Sequence, residues 1–133
     1  MKRVARGLCQ IGIAPHVVYT SPLVRARETA DILAKALGSG AAVCDCDELA
    51  PGHSPKDVLD FLRKQDSAEV AVVGHEPQLG DLVALMITGA TKAVVDMKKA
   101  SAACVEFEAK PAAGRGVLAW HVVPEVIEGL EKK

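Results

Sequence analysis

Aromatic residues are scarce: Tyr19, Phe61, Phe107 and Trp120 are the only four rings in 133 residues. Half of the residues are nevertheless hydrophobic, which excludes wholesale disorder and points to a core of Val, Leu, Ile and Ala. Long apolar runs are missing too, and none approaches the ~18–20 residues of a membrane helix. A soluble protein with no membrane partner is expected. Neither sign of charge dominates: 16 Lys and Arg face 17 Asp and Glu, a formal net charge of −1. No global basic field gathers nucleic acid, so any anion site must be local. Cysteine is confined to Cys9, Cys44, Cys46 and Cys104, and a chain that closes a proper core has no need of disulfides, so reduced thiols are expected. Cys44-Asp-Cys46, with Asp47, Glu48 and His53 nearby, offers metal-binding residue types but no second cysteine pair at zinc spacing. No metal and no other cofactor is expected. The basic start, Met1 to Arg6, is followed by a short stretch broken at Gln10, Gly12 and Pro15, a poor secretory signal, and the protein is expected in the cytoplasm.

The chain has one domain's worth of residues, without internal repeats or low-complexity linkers. Apolar β-like runs alternate with helical periodicity, the pattern of an α/β layered domain. Val4, Leu8 and Ile11 mark an amphipathic helix closed by Gly12, with no capping residue ahead of it. It reads as the second half of an element that begins outside the chain. His16–Thr20 forms a short strand, and Ser21-Pro22 is expected to open a helix, with Ser as cap and Pro at the first position. Leu23, Ala26, Ala30, Leu33, Ala34 and Leu37 supply its apolar stripe, and Gly38 stops it. Ala42–Cys46 is a weaker strand, and Pro51–Pro55 a loop leading into a helix with Val58, Leu59 and Leu62 inward. Glu69–Val73 is the clearest buried strand, with Val70–Val73 apolar without alternation, as expected of a parallel strand covered on both faces. Pro77 suits the first position of a helix that runs to about Thr88. Ala103, Val105 and Phe107 alternate with polar residues, Pro111–Gly116 turns the chain, and Leu118, Trp120 and Val122 alternate again, an antiparallel pair. Glu125–Lys133 is expected to form a short terminal helix.

Two segments share one grammar, an apolar strand followed by a polar residue and a proline at a helix start: Val17 to Ser21-Pro22, and Val70 to His75-Glu-Pro77. In open α/β sheets ligands sit beyond the carboxyl ends of the strands, and both segments deliver a helix N-terminus there. Such N-termini favour phosphate-like groups. Arg25, a cation in the first helical turn, opposes the dipole unless an anion binds, and guanidinium grips phosphate bidentately. Its bland alternative is a pairing along the helix with Glu28. His75 is either a satisfied structural group or a phosphate contact and proton carrier. Ser21 reads as a cap rather than a nucleophile, since no Gly-x-Ser-x-Gly elbow surrounds it. His53 lies in a Pro/Gly loop able to overhang the site, while His16, His121 and Lys98-Lys99 read as structural or solvated.

Thr20-Ser-Pro-Leu-Val-Arg-Ala-Arg-Glu-Thr-Ala30 and Val73-Gly-His-Glu-Pro77 resemble two signature segments of the histidine phosphatase superfamily, in particular its small SixA-type phosphohistidine phosphatases. Leu49-Ala-Pro-Gly52 and Lys98-Lys99 add to the likeness. The resemblance implies a phosphoglycerate mutase-like fold, a three-layer, mostly parallel α/β sheet flanked by helices, and metal-independent catalysis through a phosphorylated histidine. It implies a phosphate-binding Arg25 and His75 as second active-site histidine, with a phosphohistidine-bearing protein as partner; beside these, Ser21 is expected as a further phosphate contact, and His53 in its loop and Glu76 next to His75 as candidate substrate contacts. The superfamily's Arg-His-Gly segment is absent: Pro15, Gly52, Gly74 and Trp120 precede the four histidines. The nucleophile and first strand therefore have no counterpart, and residues 1–133 are expected to be one N-terminally incomplete domain. A late start, a lost activity and a substitute nucleophile such as His53 all account for this. The chain as it stands is expected to be inactive, with a non-catalytic phosphate or phosphoprotein binding module as the alternative. A hydrophobic sheet edge, open to homodimerisation, is expected where the strand is missing.

Overall fold

A computed structural model describes residues 2–38, 40–92, 97 and 101–125. Its elements run in the order α1 (Lys2–Gln10), β1 (Val17–Thr20), α2 (Val24–Leu37), β2 (Ala42–Asp45), a 3-10 turn (Asp47–Leu49), α3 (Pro55–Arg63), β3 (Val70–Val73), α4 (Gln78–Thr88), β4 (Ala102–Glu106) and β5 (Val117–Val122). Glycine ends three helical segments as its freedom at positive φ requires: Gly12 after α1, Gly38 after α2 and Gly89 after α4. At Gly38 the backbone N–H closes on the carbonyl of Ala34 at 3.3 Å. Ile11, expected on the apolar face of the first helix, lies just past its end and is 62% exposed.

β1 sits between β2 and β3 in a parallel sheet of order β2-β1-β3, with Thr20 level with Asp45 on one side and Val73 on the other. Strand alternation sorts the side chains into two layers. Val17 and Tyr19, with Val70 and Val72, pack on Val58, Leu59 and Leu62 of α3 and Leu82, Val83 and Met86 of α4. Val18, with Ala71 and Val73, packs on Val4, Ala5 and Leu8 of α1 and Ala30, Leu33 and Leu37 of α2. Helices therefore cover both faces, the expected three-layer α/β architecture. Each fully buried Val or Leu stabilises this arrangement by about 1.5–3 kcal/mol.

β4 and β5 form the expected antiparallel pair, with a register shift between Cys104 and Val105. They extend both layers of the core: Ala103 and Val105 join the α3/α4 side, Ala102 and Trp120 the α1/α2 side. Among the described residues, however, β4 forms no ladder with β3. This explains a departure from the sequence reading. β3 has the most continuous apolar sequence, yet all four of its residues are only half-buried, because its backbone is paired with β1 alone. Most of the expected terminal helix, residues 126–133, and Lys98-Lys99 lie outside the described residues.

Candidate active site

Parallel pairing of β1 with β3 brings the two proline-bearing segments to one edge of the sheet, and the N–H of Ser21 donates to the carbonyl of Val73 at 2.9 Å. Just beyond, Ser21 Oγ lies 2.8 Å from His75 Nε2. Ser21 is fully buried and its Oγ also accepts the N–H of Leu23 at 3.3 Å. The helix therefore does not begin at Ser21-Pro22. It begins at Val24, with Leu23 in the capping position and no side-chain cap, while the Ser21 hydroxyl meets His75 just past β3.

Arg25 is the second residue of α2 and is exposed. It has no ion-pair partner among the described residues, Glu28 included; Arg27 instead pairs with Asp31 and Asp45. A free guanidinium thus stands in the first turn of a helix with no side-chain cap, against the dipole, an arrangement that an anion bound at the same turn would reverse. α4 offers a second N-terminus beside it in the sheet order. Pro77 occupies its capping position rather than the first helical position, and contributes no side-chain cap. Glu76 Oε1 accepts the N–H of Gly80 at 2.8 Å.

His75 is half-buried and lines a cavity of about 240 Å³ together with His53, Glu76, Gln78, Asp81 and the Pro51-Gly52 turn. His53 is exposed, with Nδ1 3.4 Å from Asp57 Oδ2. Gln78, which no sequence motif singles out, is 8% exposed. Its Nε2 donates to the carbonyls of Glu48 at 2.9 Å and His53 at 3.1 Å, tying the His53 loop to the start of α4. Its buried Oε1 has no partner among the described residues. A lone glutamine at a helix start carries no signal of such a tether, whose acceptors lie 25 and 30 residues away.

The cysteines near this loop behave as thiols. Cys46 is buried and points its Sγ at Glu48 Oε2, 3.4 Å away. Burial, reinforced by the glutamate, pushes its pKa up to about 11, the opposite of the thiolate a metal needs. Cys44 is exposed, and among the described residues no group of three or more His, Cys, Asp or Glu is placed to hold a metal ion. His16 is exposed on the strand's leading edge, and His121 lies on β5.

Comparison with known proteins bears out the resemblance drawn from the motifs. Residues 1–50 match the histidine phosphatase superfamily (branch 1). An uncharacterized protein of Picosynechococcus is 39% identical over 103 residues, which cover 74% of this chain and 61% of that relative. The chain thus spans less than two thirds of the relative's length. The protein histidine phosphatase SixA, solved in complex with tungstate, superposes with a TM-score of 0.82 at 24% identity, covering 95% of this chain and 80% of that one. A structure from Agrobacterium tumefaciens assigned to SixA gives 0.76 at 19% identity, covering 92% and 77%. These structures establish a SixA-like, phosphoglycerate mutase-like fold.

Proposed function

We propose that a chain with the SixA fold and the superfamily's sequence signature in residues 1–50 is the core of a metal-independent phosphohistidine phosphatase acting on a phosphohistidine-bearing protein. The observation that carries this reading is the contact of Ser21 with His75 beyond the carboxyl ends of the adjacent parallel strands β1 and β3, with Arg25, free of an ion pair among the described residues, in the first turn of the helix that follows β1. In this reading Arg25 grips the equatorial phosphoryl oxygens, and His75 and the N-terminal N–H groups of α2 share their charge. Ser21 belongs to the cradle through His75. His53 and Glu76, on the cavity wall, meet the substrate. A histidine nitrogen attacks phosphorus as the substrate's P–N bond breaks and its electron pair returns to the substrate imidazole; water then attacks the phosphoenzyme and frees phosphate.

The attacking histidine is the part for which residues 1–133 hold no Arg-His-Gly match. The edges of β3 and β4 that no described strand pairs with support its place: a strand laid parallel to β3 would take up those edges and end beside Gly74-His75. We place the protein in the cytoplasm, where its four unpaired cysteines stay reduced.

The test is phosphate release from a phosphohistidine-bearing protein, by the 133-residue chain and by the same chain extended with a SixA relative's first strand ending in Arg-His-Gly. Turnover is expected only in the extended chain and is lost in Arg25→Ala and His75→Ala. Turnover by the shorter chain would overturn the assignment of the nucleophile. Phosphate binding without turnover in either chain would favour a phosphoprotein binding module, the reading that the missing Arg-His-Gly keeps in play.

A further inference from the structure

Ser21 and His75 are joined by a hydrogen bond whose direction their other contacts decide. Ser21 Oγ already accepts the N–H of Leu23 at 3.3 Å. Its hydroxyl carries one proton, and with Ser21 fully buried that proton must find an acceptor in the protein. Among the described residues the acceptor within reach is His75 Nε2, at 2.8 Å. The carbonyl of Ser21 itself takes the Thr20 hydroxyl, at 3.0 Å. If Nε2 carried a proton, the Ser21 oxygen would accept it beside the Leu23 N–H, and the buried serine O–H would be left without an acceptor among the described residues.

We propose that Ser21 is a positioning residue that holds His75 as the neutral Nδ1–H tautomer. Nδ1 makes no hydrogen bond among the described residues, and the ring lines the cavity. The proton is therefore carried on the nitrogen left free for a ligand, and His75 meets an anionic oxygen as a hydrogen-bond donor rather than as a base. The titratable groups that share the cavity wall with it are Glu76, Asp81 and His53. The tautomer stands on the hydrogen-bond geometry alone; only the identity of the oxygen that receives the Nδ1 proton rests on the phosphatase reading.

The experiment is a long-range ¹H–¹⁵N correlation spectrum of the ¹⁵N-histidine-labelled chain, recorded well above the ordinary histidine pKa of about 6.5 and assigned with His75→Gln. The wild type is expected to show the protonated-nitrogen shift at Nδ1, favoured roughly tenfold, the factor that accompanies an unsatisfied buried donor. Ser21→Ala is expected to move the population toward Nε2–H, and Ser21→Thr, which keeps the hydroxyl, to retain Nδ1–H. A wild type dominated by Nε2–H would overturn the proposal, as would a folded Ser21→Ala with an unchanged spectrum. Should Ser21→Ala not fold, the wild-type and Ser21→Thr spectra decide it. An Nδ1–H spectrum in a chain that binds no phosphate would count against the phosphatase reading and leave this inference standing.

Discussion

Arg25 stabilises nothing it touches: it is exposed and without an ion pair among the described residues. Arg25→Ala should therefore leave the melting temperature within about 1–2 °C, a surface-substitution effect, and scanning calorimetry checks it. A large drop would show that the side chain has a structural role. Cys46 makes a second case. Its raised pKa and burial leave almost no thiolate at pH 8, whereas Cys9 and Cys44 are exposed. Iodoacetamide followed by peptide mass spectrometry should label Cys9 and Cys44 first and Cys46 last. The places of Arg25 and His75 in the fold were legible in the sequence because each lies past a strand, around the start of a helix and near a proline, Pro22 and Pro77. The partnership of Ser21 with His75 was not, since the contact joins residues 54 apart and local capping rules predict a different bond for the hydroxyl. Gln78 was illegible for the same reason.

α3 shows what local sequence does fix. Ser54 accepts the N–H of Asp57, and the Asp57 carboxylate accepts the N–H of Ser54, each at 3.2 Å, with Pro55 at the first position. This reciprocal cap rests on neighbours in sequence, so the helix began where its signals placed it. Ser54→Ala is expected to cost about 1 kcal/mol in urea unfolding. The backbone N–H of Ser54, and then His53, hold the Asp57 pKa below its ordinary 3.8. A depressed carboxylate contributes its stabilisation above its unfolded pKa and loses it as pH falls through the lower folded value. The gap between wild type and Asp57→Asn should thus be full at pH 6 and narrow below about pH 4. At the other end of the chain, Gly116 marks where α4 meets the β4–β5 pair. Its N–H donates to the carbonyl of Met86 at 2.8 Å, and a Cβ there would lie 2.5 Å from Val105 Cγ1 and 2.9 Å from that carbonyl. Gly116→Ala is expected to destabilise by about 1–3 kcal/mol, as overpacking does; an unchanged unfolding midpoint would show that the pair shifts freely.

Taken as one body, the protein has two core layers that run from β2 to β5, while among the described residues its sheet hydrogen bonding stops at β3 and resumes at β4. Short apolar runs predicted each strand, and their alternation with helical periodicity predicted the layering. Pattern alone says nothing of which edges meet, so β3 read as fully covered when it is half-buried. Because β1 is flanked on both sides and β3 on one, amides of Val17–Thr20 should exchange more slowly than those of β3 that point away from β1. Equal protection would mean that another strand already covers β3. Analytical ultracentrifugation tells a second copy from an intramolecular segment as that cover.

The central claim is that Arg25 and His75 together make an anion cradle at the ends of β1 and β3. Calorimetric titration of the 133-residue chain with tungstate, the anion held by the SixA structure of similar fold, tests it most directly. Saturable binding is expected in the wild type, weakened roughly ten- to a hundredfold in Arg25→Ala and in His75→Ala as charge-assisted hydrogen bonds are lost. A wild type that binds no tungstate, or binding that both substitutions leave untouched, would contradict the account.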